Sequence, residues 1–127
     1  MPLYHVWFAT KRRKWLLQGD VEEAAKKLIV SLAAEKGIDL LECETMIDHV
    51  HILLRTDGDR DLSKAVNLLK GACSRRLFQQ FPDLSTDAHT NQLWQHRFAA
   101  KIVSEVAARR VSAYIRTQAQ RPDKYES

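Results

Sequence analysis

The sequence predicts an α+β domain with one antiparallel sheet, and three observations lead to that prediction. Four apolar runs have the length and the β-branched or aromatic content of strands. Two longer stretches repeat apolar residues every three or four positions, as amphipathic helices do. These patterns follow one another in the order β-α-β-β-α-β, and one more helical pattern closes the chain.

The first half of the chain is predicted to hold three strands and one helix. In chain order these are a strand over 3–10, a helix over 21–36, and strands over 38–46 and 49–55. Asp20 can cap the helix, and Gly37 suits its C-terminal end because glycine tolerates positive φ. A tight turn near Ile47 and Asp48 joins the last two strands.

The second half is predicted to hold a helix, a strand and a final helix. From Asp61, a favourable N-cap, an apolar stripe marks a helix to about Gln80. Residues 93–103 alternate as a strand should, and Ser104 can cap a helix to about Gln120. The whole order is that of the ferredoxin-like split β-α-β-β-α-β sheet with an added C-terminal helix.

Length and composition predict one folded domain over 1–127, with a core over 1–103 and a C-terminal helix and tail over 104–127. No run approaches the roughly 20 apolar residues of a membrane helix, and no signal peptide is visible, so we expect a cytoplasmic protein. Cys43 and Cys73 lack metal-site spacing and are expected to be reduced and structural. The net charge of +4 permits nucleic-acid binding without demonstrating it.

Two histidines lie one residue apart in the predicted strand over 49–55. His49 and His51 share one face of that strand, with Cα atoms roughly 6.5 to 7 Å apart. In this architecture the two main helices cover the other face, so the histidine face is available for a ligand or for the extra helix. The pair can therefore converge on a metal ion. The alternative, which is more common for this spacing, is a pair of surface histidines that binds no ligand.

The last helix supplies candidate partners for the histidines. Tyr114 and Gln118 are spaced i, i+4, on the same side as the apolar Val111 and Ile115. If this side covers the histidine face, the amide can reach the metal with the phenol beside it. A core tyrosine with its hydroxyl bonded to some acceptor is the alternative.

Several segments together resemble the single-tyrosine HUH transposases of small bacterial insertion sequences, the IS200-like TnpA type. They are "YHVWFATKRRK", "MIDHVHILL", "LSKAVNLLKGACSRRLFQQFP", "LWQHRFAAKIV" and "YIRTQ". The family pattern combines a histidine pair around a hydrophobic residue with a tyrosine four residues before a glutamine. The transposases associated with repetitive extragenic palindromes (REP) share both motifs.

The resemblance implies a homodimer that cuts single-stranded DNA next to hairpins at element ends. Tyr114 would attack the scissile phosphate to give a 5′-phosphotyrosine, which another 3′-OH then resolves. His49, His51 and Gln118 would hold a divalent ion, Mg²⁺ in the cell, with Mn²⁺ able to replace it. In the family the tyrosine helix often serves the partner's histidine pair, and the sequence leaves open whether it does so here.

DNA contact is expected from the polar side of the second long helix and from the basic loop after the first strand. The candidate residues are Lys64, Asn67, Lys70, Arg75 and Arg76 on the helix, and Lys11, Arg12 and Arg13 in the loop. Gly71 weakens a helix interior, so we expect a phosphate backbone or a neighbouring helix to approach it closely. The alternative for the helix is a solvated face.

Two other functions remain open at this stage. One is a ferredoxin-like nucleic-acid-binding module without catalysis, which loss of Tyr114 or of the metal-site residues would have favoured. The other is a small metallohydrolase, which requires a third His, Asp or Glu ligand on a facing element. His5, His89 and His96 are expected to be structural or surface residues.

Overall fold

A computed structural model describes residues 1–85 and 92–118 of the chain. Its strands are β1 (Leu3–Ala9), β2 (Asp39–Thr45), β3 (His49–Arg55) and β4 (Ala99–Val103), and its helices are α1 (Gly19–Glu35), α2 (Asp59–Gln80) and α3 (Ala108–Gln118). Within these ranges no helix has the length and apolar character needed to cross a bilayer. His89 and the expected end of the last helix near Gln120 lie outside the described residues.

The sheet has the strand order β2-β3-β1-β4, and every neighbouring pair is antiparallel. The ferredoxin-like arrangement predicted from the sequence is therefore confirmed. Helices α1 and α2 cover one face, where Val6, Val50 and Ile52 join the main core. Cys43 and Cys73 are buried free thiols on the same side.

Helix α3 packs on the opposite face of the sheet, around a second and smaller apolar cluster. Ile115 is fully buried there with Leu3, Leu53 and Val103. Because side chains alternate along a strand, this is the face that also carries His49 and His51. The helix is therefore anchored a short distance from the histidines.

The starts of all three helices differ from the sequence predictions. Helices α1 and α2 begin after Gln18 and Gly58, and neither Asp20 nor Asp61 is the N-cap. Helix α3 begins at Ala108, because Ser104 first accepts a hydrogen bond from the Ala107 amide in a preceding turn. Local cap preferences are weaker than the packing that decides where each helix enters the core.

The fourth strand is shorter than predicted, because β4 begins at Ala99 and not at residue 93. Trp94 makes only an isolated bridge to Thr10 and is buried, with its Nε1 donating to the Lys70 carbonyl. Trp94 is therefore held by a contact with α2 and not by a regular strand.

Lys70 holds this segment in place from inside the fold. Its Nζ donates to the carbonyl oxygens of Gln95, His96 and Arg97 at 2.6, 3.3 and 3.2 Å. The residue is 6% exposed, and the ammonium also lies over the Phe8 ring. The prediction that Lys70 contacts DNA is therefore wrong.

Replacing Lys70 by Met should destabilise the fold, because three carbonyls lose a charged donor in a buried site. We expect the free energy of unfolding to fall by about 2 kcal/mol, measured by urea denaturation. Amide hydrogen exchange in 92–98 should quicken. Lys64→Met, at an exposed position of the same helix, is the control, and equal loss in both variants would contradict this role for Lys70.

Candidate active site

The free face of the sheet carries a group of histidine and aromatic side chains contributed by its two central strands. Trp7 of β1 pairs with His51 of β3, and His5 pairs with Leu53. His49 lies one pleat further along β3 on the same face. Sequence analysis placed the β3 pair here but left His5 as structural or surface, since the pairing register that brings it close was unknown.

His49 is oriented by the residue before it. Its Nδ1 lies 2.7 Å from Oδ1 of Asp48, whose other oxygen accepts from Nε of Arg13 at 3.1 Å. Asp48 is 4% exposed, and its carboxylate accepts only, so the hydrogen of a neutral His49 ring lies on Nδ1. The lone pair then lies on Nε2, which is the arrangement a metal-binding histidine needs.

His51 makes a corresponding contact with the neighbouring strand. Its Nδ1 lies 2.9 Å from Nε2 of His5, and the two rings stack with centroids 5.1 Å apart. Burial, and then the charges of His49 and His5, lower the pKa of His51 to about 3. Burial, followed by the charge of Lys101, also lowers the pKa of His5. The His51 ring is therefore neutral at physiological pH, which is the form that binds metals.

Tyr114 lies beside these histidines at the edge of the α3 interface. Its ring centroid is 6.2 Å from that of His5 and 6.4 Å from that of His51. The sequence placed Tyr114 in the buried stripe of its helix, but it is 47% exposed. It lines a groove together with Lys101 and Arg110. The phenol is therefore close to the histidines and open to a substrate.

On a helical wheel Ser112 and Arg116 lie opposite the apolar Val111 and Ile115, which predicts an outer position for both. The observed helix is rotated relative to that prediction. Ser112 instead donates to Oε1 of Glu42 on β2 at 2.5 Å, and Nε of Arg116 lies 3.4 Å from the same oxygen. These polar contacts and the burial of Ile115 fix α3 on two sides. The rotation moves Tyr114 to the margin of the buried face.

Gln118 follows Tyr114 by one turn and is partly buried. Its Nε2 is inaccessible to solvent and has no hydrogen-bond partner among residues 1–85 and 92–118. The oxygen and nitrogen of an amide are interchangeable by a flip of the side chain. An unpartnered buried amide atom suits a residue whose oxygen turns towards a cation, so Gln118 fits the predicted metal ligand.

A second groove lies next to His49 on the sheet. Arg13 and Arg97 supply positive charge there, Trp7 and Phe98 supply aromatic surface, and His49 lies in its wall. Lys70 binds the Arg97 carbonyl, and Phe98 is the next residue. This groove was not predicted, because residues 93–98 were expected to form regular strand.

The described part of the chain groups no three His, Cys, Asp or Glu side chains so that they could hold a metal. His5 does not join His49 and His51 as such a ligand, since its Nε2 faces Nδ1 of His51. The metallohydrolase alternative required a third ligand of this kind, and these residues do not supply it.

The α2 residues predicted to contact DNA differ in their exposure and in their ion pairs. Lys64, Asn67 and Arg75 are exposed on one side of α2, whereas Arg76 pairs with Glu35. A Cβ at Gly71 would meet no atom of the described residues within 4 Å. The neighbouring helix that was one explanation for this glycine is therefore not found there.

In the basic loop, Lys11, Arg12 and Arg13 form a short 3₁₀ turn after β1. Nζ of Lys11 donates to Oε1 of Gln92, and Arg13 is held by Asp48. Arg12 is exposed.

Comparison with known proteins gives a consistent family. Residues 2–118 match the sequence model of the family described as "Transposase IS200 like". The chain is 32% identical over 115 residues to the ISDra2 transposase TnpA of Deinococcus radiodurans, spanning 91% of this chain and 82% of that protein. It is 30% identical over 115 residues to the transposase of insertion sequence element IS200 from Salmonella typhimurium, spanning 91% and 75% respectively.

Solved structures show the same fold. A crystal structure of a suspected transposase from Deinococcus radiodurans R1 superposes with a TM-score of 0.74 at 32% identity, covering 93% of this chain and 92% of that one. A REP-associated tyrosine transposase, solved bound to a REP hairpin, superposes with a TM-score of 0.60 at 15% identity, covering 90% and 64%.

The lowered pKa of His51 predicts how the free energy of unfolding of the metal-free protein depends on pH. Between the ordinary value of 6.5 and about 3, the unfolded chain takes up a proton at His51 that the folded chain does not. The free energy of unfolding should therefore fall as the pH is lowered through this range, and His51→Gln should make the fall shallower. In NMR spectra the His51 ring signals should not titrate between pH 8 and 5, and a midpoint near 6 would contradict the result.

Proposed function

The chain belongs to the IS200-like family of single-tyrosine transposases, and from that premise we propose that it cuts and rejoins single-stranded DNA through a covalent bond to Tyr114. The observation that carries the proposal is the position of the phenol, with its ring centroid 6.4 Å from that of His51. Both histidines are hydrogen-bonded through Nδ1. The site thus offers a nucleophile and a pair of metal ligands together.

We propose His49, His51 and Gln118 as the ligands of a divalent ion, Mg²⁺ in the cell, with Mn²⁺ able to replace it. The Nδ1 contacts support this assignment, and so does Nε2 of Gln118, which has no hydrogen-bond partner among the described residues. Such an ion supplies Lewis-acid polarisation of the scissile phosphate. The mixed nitrogen and oxygen donors suit Mn²⁺ better than Mg²⁺, so we expect tighter binding of Mn²⁺.

Tyr114 is the proposed nucleophile. Its oxygen forms a bond to the scissile phosphorus while the bond from phosphorus to the 3′ oxygen breaks, and that oxygen takes up a proton to leave a 3′-OH. A second 3′-OH reverses these steps at the phosphotyrosine and rejoins DNA. A phenol ordinarily has a pKa of about 10 and needs help to ionise. Lys101 and Arg110 line the groove beside it and supply favourable positive charge.

The groove beside His49 suits the strand that is cut. Arg13 and Arg97 can contact backbone phosphates, while Trp7 and Phe98 offer surfaces on which unpaired bases stack. Since His49 forms part of its wall, a strand lying in this groove passes directly into the proposed metal site. Stacking and phosphate contact need no duplex, which supports single-stranded DNA as the substrate.

The exposed side of α2 is the proposed contact for the hairpins at element ends. Lys64, Asn67 and Arg75 are exposed there, and Gly71 leaves space beside a groove formed with residues 92–96. A DNA backbone can approach closely at a residue without a side chain. The hairpin bound to the REP-associated structure supports this class of ligand.

A homodimer is proposed for the assembly. Strand β4 lies at the edge of the sheet, and Ile102 within it and Val106 after it are 65% and 93% exposed. A second copy would cover these apolar side chains. In the single chain Tyr114 faces its own histidines, so a composite site would require α3 to leave this position.

Replacing Tyr114 by Phe should abolish the covalent adduct, because the attacking oxygen is removed while the ring remains. We would incubate the protein with Mn²⁺ and single-stranded oligonucleotides from both flanks of its coding locus, and detect adducts that survive SDS. Hairpin binding should be unchanged.

Tyr125→Phe is the matched control and should keep the adduct. Cleavage at the same site by Tyr114→Phe would show that another group is the nucleophile. Hairpin binding by the unaltered protein without any adduct would favour the non-catalytic binding module.

Replacing Arg75 by Gln should weaken hairpin binding and reduce its salt dependence. Loss of one phosphate contact lowers the slope of log K against log salt by about one. Fluorescence anisotropy at several salt concentrations measures both quantities. Lys36→Gln, at an exposed position after α1, is the control; an unchanged slope in Arg75→Gln would place the hairpin elsewhere.

A further inference from the structure

We propose that His5 is a positioning residue, which accepts a hydrogen bond from Nδ1 of His51 and thereby keeps Nε2 of His51 available to the metal. This inference rests on the proposed function, because it assigns a task to His5 only if His51 is a ligand. The contact that carries it is the 2.9 Å distance between Nε2 of His5 and Nδ1 of His51.

The direction of this hydrogen bond decides whether His51 can bind a metal through its outer nitrogen. A neutral imidazole has one nitrogen that donates and one that accepts. If His51 donates through Nδ1, its lone pair lies on Nε2. If His5 donates instead, the hydrogen of His51 lies on Nε2 and blocks coordination there. Only the first direction is compatible with the proposed metal site.

His5 is well placed to keep this contact with His51. It lies in β1, which is paired on one side with β3 and on the other with β4, so its backbone has little freedom. His51 is 8% exposed, so water has limited access to replace a lost partner. His49 is held through Nδ1 in the same way by Asp48. Both proposed ligands thus have a partner on the nitrogen that faces away from the metal.

The neutral charge of His5, the partner of His51, also affects the reaction at Tyr114. The ring centroid of His5 lies 6.2 Å from that of Tyr114, where negative charge develops when the phenol attacks a phosphate. A carboxylate at this position would repel both groups, whereas an imidazole accepts the hydrogen bond without adding charge. His5→Glu should therefore hold the metal but slow the cleavage step.

The first experiment observes the tautomer directly in the unaltered, metal-free protein. Long-range ¹H–¹⁵N correlation spectra of the histidine rings at pH 7 distinguish a protonated Nδ1 from a protonated Nε2. We expect hydrogen on Nδ1 of His51 and an unprotonated Nε2 on both His51 and His5. Hydrogen on Nε2 of His51 would overturn the proposal.

The second experiment compares Mn²⁺ affinity by EPR titration in variants of matched length. His5→Met removes the acceptor and should weaken binding by about 10- to 100-fold, whereas His5→Glu, which can only accept, should bind at least as tightly as the unaltered protein. The proposal would be overturned if His5→Met bound Mn²⁺ as tightly as the unaltered protein. It would also be overturned if His5→Glu bound Mn²⁺ as weakly as His5→Met. Hairpin binding and thermal unfolding report whether each variant is folded.

The two experiments separate this inference from the proposed function. If the unaltered protein binds no Mn²⁺, the metal site is wrong, and His5 loses its assigned task whatever the tautomer. If it binds Mn²⁺ with hydrogen on Nε2 of His51, the metal site stands and the role of His5 is wrong. Lys36→Gln, at an exposed position after α1, should change neither measurement.

Discussion

The packing of α3 on the second face of the sheet is the constraint on which the whole candidate site depends. Ile115 is fully buried against Leu3 and Leu53, and burial of such a side chain contributes about 1.5 to 3 kcal/mol. Tyr114 precedes it in the helix and so stands at the rim of the interface. Glu42 binds the opposite side through Ser112, which limits rotation of the helix. A modest apolar cluster thus determines where the nucleophile lies relative to the histidines.

The second requirement is control of the imidazole hydrogens. His49 is held by a buried carboxylate that is itself paired with Arg13, and His51 by a neutral ring. The negative charge is therefore confined to the side of the site where an arginine offsets it. On the side of Tyr114 the orienting group carries no charge. This asymmetry suits a reaction in which both the attacking oxygen and the phosphate are anionic.

The sequence predicted the fold and the face of the histidine pair because both follow from local periodicity. Alternation along β3 was enough to separate His49 and His51 from the core. His5 was missed because its contact depends on the register between β1 and β3, which a single strand does not encode. Lys70 was misassigned because helical periodicity put it near the polar side, while its true partners are carbonyls of 95–97, 25 to 27 residues away. Long-range packing of this kind has no short-range signature.

The most direct test of the account is a crystal structure of the protein with Mn²⁺, using anomalous scattering to locate the ion. We expect one peak within coordination distance of Nε2 of both His49 and His51, with the Gln118 amide oxygen turned towards it and Tyr114 beside it. Nδ1 of His51 should remain bonded to His5. A peak bound to Nδ1 of either ligand, or no peak at the histidines in a protein that folds normally, would contradict it.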